Sequence, residues 1–292
     1  MEISGWDIAA VFAKAATYAA TLAASGAIFF LAYCHTLLRD SQRSVLRRLI
    51  GMLIAAAALL SVCRIALLAG SMGGDLAAMI NGRFARMILG AGEGRATGAR
   101  LLGLGIALLA LSPKAALRGP AILGGMLAAA SFAWVGHVHA LPSIAPSLLL
   151  CLHLLCAAFW LGALPPLWLI AAGGNEAQIA AAAARFGKLA LRAVALLVAA
   201  GFSLLLMLIS SPAQLLSSDY GRLMSIKLLA VAALLALAAI NRLQLTPRLL
   251  GHEKRAVMLF RRSVAAEIAI GAFILTITAA FTSLTGPPAL SP

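Results

Sequence analysis

Leu189–Ser210 reads LALRAVALLVAAGFSLLLMLIS, an unbroken run of 22 residues whose only charge, Arg192, lies near its start. At 1.5 Å rise per residue such a helix is about 33 Å long, enough to cross the hydrocarbon core of a bilayer. Similar runs lie on either side of it. Upstream are Ile8–Leu38, Val45–Gly70, Gly98–Ser112, Ala121–Val138 and Leu148–Ala172; downstream are Leu223–Leu243 and Val264–Leu284. Gly98–Ser112 is short. Its Arg100 is expected to snorkel to the interface, and its glycines to allow close helix packing.

Composition supports this reading. Of 292 residues 63% are hydrophobic and only 11% charged, with a mean hydropathy of +1.01. A soluble domain of this length could not cover so much apolar surface, whereas a bilayer makes the cover unnecessary. No soluble-sized gap separates the runs, so residues 1–292 are expected to form one membrane domain: an all-α, polytopic bundle of about eight transmembrane helices. The first run follows Glu2 and Asp7 without a positive n-region and is too long for a signal-peptide core, so it reads as a retained helix. The formal charge of +14 does not indicate nucleic acid, because the basic residues sit between membrane-length runs, where they set topology. Cys34, Cys63, Cys151 and Cys156 lie in or beside apolar runs and read as small buried hydrophobes rather than a disulfide framework.

Alternate connections differ in charge. One set carries Arg39, Arg43, Arg47 and Arg48; Lys114 and Arg118; Arg185, Lys188 and Arg192; and Arg242, Arg248, Lys254, Arg255, Arg261 and Arg262. The other set holds Arg83, Arg86, Arg95 and Arg100, nothing around His137–Pro146, and Arg222. The positive-inside rule then makes the first set cytoplasmic and places both termini outside, which is periplasmic if the membrane is a bacterial inner one. The alternation works only if Gly98–Ser112 is a true span. Within the long outer connection Ser71–Thr97, apolar residues from Leu76 to Ile88 recur at helical spacing, which predicts an amphipathic segment near 74–90 on the membrane surface. The final Gly-Pro-Pro-Ala-Leu-Ser-Pro reads as a disordered end.

This topology gathers histidines outside. His137 and His139 end the fourth span in Gly136-His-Val-His, and His153 opens the fifth after the short Leu-Pro-Ser-Ile-Ala-Pro connection. Antiparallel helices joined so tightly pack together, so the three imidazoles can converge. Imidazole serves copper well, and Cu(I) also takes thioether and thiolate ligands. Helical spacing places Cys156 and Trp160 on the face of His153, with Cys151 roughly opposite. Met72, Met79 and Met224 are further candidate ligands in the outer half, which also holds Met87 and Met207. His35 and His252, on the cytoplasmic side, read as solvated surface. No nucleophile–base constellation suggests an enzyme.

Charged residues inside the spans are costly in lipid and face the bundle interior or water. Lys14, Arg64 and Lys227 map to the outer half, where they would repel copper unless neutralised by Asp7, Asp219 or lipid headgroups. Such an arrangement favours ligand exchange through neutral His and Met over a charge-lined pore. The same cations fit an alternative: His137 and His153 as axial ligands of haem b, with Lys or Arg pairing the propionates. Glu267, with Lys227, Asn241 and Arg242, is expected to hold the C-terminal helices in register.

The C-terminal third, residues 185–288, resembles the CopD family of bacterial copper-resistance membrane proteins. The resemblance is carried by Arg185-Phe-Gly-Lys-Leu-Ala, Asp219-Tyr-Gly-Arg-Leu-Met-Ser-Ile-Lys227, Ala239-Ile-Asn-Arg-Leu-Gln-Leu-Thr-Pro-Arg248 and Arg261-Arg-Ser-Val-Ala-Ala-Glu267. Within residues 1–184, Gly136-His137 and His153-Leu-Leu-Cys-Ala-Ala-Phe-Trp160 resemble that family's fourth and fifth helices, while the first hundred residues match in hydropathy alone. The resemblance implies copper uptake or tolerance, with His137, His153 and Trp160 at the site. It also implies a separate periplasmic CopC-type partner, or a role as that partner's non-transporting companion. His139 is a second histidine where relatives often carry small residues.

Overall fold

The computed structural model describes residues 4–136, 138, 143–173, 176–209, 211–251 and 253–287, and every regular element among them is helical. The α-helices are α1 (Gly5–Cys34), α2 (Asp40–Gly73), α3 (Gly82–Gly90), α4 (Gly92–Ala107), α5 (Arg118–Ala130), α6 (Ala145–Gly173), α7 (Glu176–Leu208), α8 (Gln214–Ser217), α9 (Asp219–Ile240), α10 (Thr246–Leu250) and α11 (Lys254–Leu284). With short 3₁₀ and π extensions they make eight segments long and apolar enough to cross a membrane. The third of these is Gly92–Leu111, which begins six residues before the apolar run at Gly98. Hydropathy hides this first turn because Glu93 and Arg95 interrupt it. An acidic residue in a helix's first turn is nonetheless favourable, since it faces the positive end of the helix dipole.

The first helix is the axis of the bundle. Of its most apolar window 67% is buried, against 11% for Asp219–Leu250, which presents most of its surface outward. Helices α2, α5, α6 and α11 all pack on α1. Small residues allow this approach: Ala20, Ala24, Ser25, Gly26 and Ala27 are all buried. At the α1–α6 crossing a side chain on Gly26 would strike the Ala158 carbonyl and the Gly162 backbone, and one on Gly162 would strike the Leu22 carbonyl and Gly26. Gly103 of α4 and Gly124 of α5 make a second backbone-to-backbone approach, as the glycine content of that span predicts. Membrane helices associate largely through such close van der Waals packing.

The stretch read as an amphipathic segment is helical in two pieces. A 3₁₀ turn, Ala77–Ile80, is separated from α3 by Asn81. The Asn81 side chain accepts the Arg83 N–H at 2.9 Å, so it starts a new helix rather than continuing the old one. Ile88 faces inward, while Leu76, Ile80, Met87 and Leu89 remain exposed, as suits a helix lying in the headgroup region.

Contacts between spans fix the two ends of the bundle. The Lys14 ammonium donates to the Thr282 carbonyl and the Ser283 hydroxyl, each at 3.1 Å, so the start of α1 meets the end of α11. This is the terminal end. At the opposite, arginine-rich end His35 is not a freely solvated side chain. It is half-buried, with Arg118 Nη2 at 2.8 Å and Arg43 Nη1 at 3.2 Å from Nε2. Cys34 and Cys156 are buried and Cys151 partly so, but Cys63 is exposed on the outward side of α2. His252 and the last five residues lie outside the described set.

Candidate functional site

Two polar groupings lie near the terminal end, one among the first five helices and one among the last six. The first surrounds α1. Arg64 of α2 pairs with Glu93 of α4 at 2.5 Å, both largely buried. Lys14 and Arg100 lie within the field of both partners. Arg100 does not snorkel: it has no exposed surface. Its Nε donates to Ser131 Oγ at 3.2 Å, and its guanidinium carbon lies 3.9 Å from the centroid of Phe132. Phe132 in turn packs edge-on against Tyr18 of α1 at 4.6 Å. The reason is steric and electrostatic together. Ser131, itself anchored on the Ala128 carbonyl at 2.7 Å, and the face of Phe132 offer the guanidinium a site inside the bundle, so its stem need not reach for water.

The anticipated neutralisation by Asp7 or Asp219 is replaced by Glu93. Asp7 is used in the capping box of α1, where its carboxylate accepts from the Ser4 amide and hydroxyl at 3.0 and 2.7 Å. Asp219 faces Arg222 at 3.4 Å on an exposed surface. Glu93 was missed because it lies in what reads as a loop; the sequence signal that could have found it is its place in the first turn of α4.

The second grouping centres on His153 of α6. Its Nδ1 lies 3.1 Å from the Leu197 carbonyl of α7. A carbonyl only accepts, so the ring carries its proton on Nδ1 and Nε2 keeps its lone pair. Gly201, one turn along α7, makes room for the ring: a Cβ there would meet His153 Cε1 at 3.0 Å. Neither Leu197 nor Gly201 stands out in the sequence, because one acts through its main chain and the other through a missing side chain. Cys156 and Trp160, on the same face as His153, are buried, whereas Cys151 points toward the Ala130 carbonyl of α5 at 4.0 Å. Lys227 of α9 is within electrostatic reach of His153 and holds its ammonium 5.3 Å from the Phe281 ring.

Of the remaining sequence candidates, those among the described residues are dispersed. His137 and His139 lie outside the described residues, although Val138 between them is described and packs with Leu204 and Leu208 of α7. Met224 is enclosed by Tyr220, Ile277 and Phe281. Met72 is exposed at the end of α2, and Met79 lines an apolar cleft with Val62, Ala66 and Thr97. Among the described residues no three His, Cys, Asp or Glu side chains converge as a metal cluster.

Near the other end of the bundle, Asn241 donates to Glu267, joining α9 to α11, and Arg242 donates to the Gly187 carbonyl of α7. Asn241 opens a π-helical turn, Asn241–Leu245, and its own carbonyl accepts from Thr246 Oγ1 at 2.9 Å. These contacts tie three C-terminal spans together. Lys227 stands apart from them, beside Phe281.

An all-helical chain of this kind, with eight membrane-length segments and polar side chains paired inside the bundle, is a multi-pass protein of the inner membrane. It belongs to the copper resistance protein D family. Residues 180–281 match the family described as Copper resistance protein D, and residues 5–144 match Copper resistance protein D-like, N-terminal domain. The chain is also 33% identical, over 136 residues, to the inner membrane protein YebZ of Escherichia coli strain K12. That alignment spans 46% of this chain and about half, 47%, of the relative. No solved structure matches.

Proposed function

We propose that the protein binds copper at the terminal end of the bundle, on the periplasmic face, for uptake across the inner membrane or for copper tolerance. The observation that carries this reading is the bond from His153 Nδ1 to the Leu197 carbonyl. Metal-binding imidazoles commonly donate their second nitrogen to a carbonyl, which fixes the ring and raises the basicity of the ligating nitrogen. His153 is oriented in this way, with Nε2 left to bind. The charge asymmetry of the connections assigns the terminal end to the periplasm. His137 and His139, in the connection leading to α6, are the further ligands, with Cys156 and a methionine as auxiliary donors for Cu(I). A separate CopC-type periplasmic protein is the proposed source of the ion.

Purified wild-type protein is expected to be colourless as isolated and to gain copper. His153→Ala should weaken binding at least about 100-fold, since loss of an outer-shell partner alone costs 10–100-fold. The half-buried position of His153 predicts that the variant still folds. Undiminished copper binding in folded His137→Ala/His153→Ala protein would end the assignment. A Soret band in the purified wild type would instead make the histidines haem ligands. Copper flux into proteoliposomes separates transport from binding alone.

A further inference from the structure

The cations around α1 outnumber their carboxylate partner. Lys14, Arg64 and Arg100 share a single acid, Glu93, which is committed to Arg64. Lys14, Arg64 and Arg100 lie eight or nine residues from the terminal ends of α1, α2 and α4, and the charges of Arg64 and Glu93 act on both Lys14 and Arg100. Arg100 is fully buried, yet Nη1 and Nη2 have no hydrogen-bond partner. Its other contacts show where they point. Ser131 holds Nε and Phe132 covers one face of the guanidinium, which leaves the Nη1/Nη2 edge as a fixed fork. A planar fork of two N–H donors matches two oxygens of a carboxylate or phosphate.

We propose that Arg100, with Lys14 and Arg64, binds a phosphate-type oxyanion within the first five helices. One such anion offers acceptors to the open edge of Arg100 and offsets the surplus positive charge that Glu93 leaves over, fully as a phosphate dianion and in part as a phosphodiester. Lys14 keeps an ammonium nearby, held on the Thr282 carbonyl and the Ser283 hydroxyl of α11, so the anion would also bridge α1 and α4 electrostatically. The oxyanion is either free phosphate or the phosphodiester of a phospholipid headgroup. An apolar cleft of about 260 Å³ between α2, α3 and α4 gives the lipid source a route. It is lined by Val62, Ile65, Ala66, Leu89, Thr97 and Leu101, and so reaches the residues flanking Arg64 and the turn preceding Arg100. The site is separate from His153, and its test does not depend on copper.

Full-length protein would be purified in a phosphate-free, uncharged maltoside. Wild type and Arg100→Gln would then be compared in two ways: thermal unfolding against added inorganic phosphate, and native mass spectrometry after reconstitution with phosphatidylglycerol. For free phosphate, the wild-type midpoint should rise by several degrees with increasing phosphate, because a ligand that binds only the folded state stabilises it by mass action. Arg100→Gln should abolish this rise. For a lipid source, inorganic phosphate should have no effect, and one phosphatidylglycerol should stay bound to wild type but not to Arg100→Gln. Arg100→Lys keeps the charge without the fork and should weaken either form of binding at least about tenfold. Should Arg100→Gln fail to fold, Lys14→Gln, which keeps Arg100 in place, should show a reduced response. The absence of both a phosphate-dependent midpoint and a retained lipid in wild type would overturn the proposal, and so would equal responses in wild type and Arg100→Gln.

Discussion

The two groupings near the terminal end solve the problem of polar side chains in a membrane in opposite ways. Around α1, one ion pair, Arg64 with Glu93, sits among surplus cations, and Arg100 is placed by Ser131 and Phe132. Around α6, a neutral imidazole is placed by a main-chain carbonyl, and the nearby charge, Lys227, rests against an aromatic ring. The first arrangement concentrates positive charge and suits an anion. The second keeps a lone pair on an uncharged ring and suits a soft metal cation. The division also follows the two matched family segments, 5–144 and 180–281, with His153 on the helix between them.

The largest effect that would break this contrast is expected at Glu93. Glu93→Gln leaves Arg64 unpaired beside two further cations, and breaking a buried pair in this way costs about 3–5 kcal/mol. It should show as a large drop in the thermal midpoint in detergent. The double replacement Arg64→Met/Glu93→Met should recover most of the loss, because it removes both charges; if it is as unstable as the single variant, the pairing is not what matters. Next in size is Gly201→Ala, which sharpens the second half of the comparison. The added Cβ would crowd His153 Cε1 and Nδ1, at 3.0 and 3.1 Å, and loosen the bond to Leu197. Copper affinity should fall about tenfold while the thermal midpoint barely changes; an unchanged affinity in titrations would show that the ring's orientation is irrelevant. The smallest effect is expected for Lys227→Met. Removing a like charge near the proposed cation site should tighten copper binding by about twofold to fivefold at low ionic strength, with less gain in high salt. Weaker binding in this variant would give Lys227 a different role.

Much of the architecture was legible because bilayer thickness sets span length. The eight segments, the weak third one included, follow from apolar runs and from the alternation of basic connections. What escaped were partners supplied from elsewhere in the chain. Arg100 reads as an interfacial residue until Ser131 and Phe132, about thirty positions away in sequence, are brought beneath it. Glu93 reads as part of a loop until the helix is seen to begin at Gly92. His153 was identifiable as an imidazole at a helix start, but the carbonyl of Leu197 and the bare backbone of Gly201 leave no chemical signature in a sequence. The segment near 74–90 reads as one stretch of helical spacing, and the Asn81 side-chain cap that divides it into a 3₁₀ turn and α3 has no counterpart in that spacing.

The contact between Gly26 and Gly162 has a mechanical consequence. Where two backbones touch without intervening side chains, there is no slack for one helix to slide or tilt away from the other without opening a void. Helices α1 and α6 therefore behave as a single strut. If the proposed copper site serves transport, motion belongs to the helices around that strut rather than to the strut itself, so a probe on α9, the most outward span, should report it while one spanning Gly26 and Gly162 stays silent.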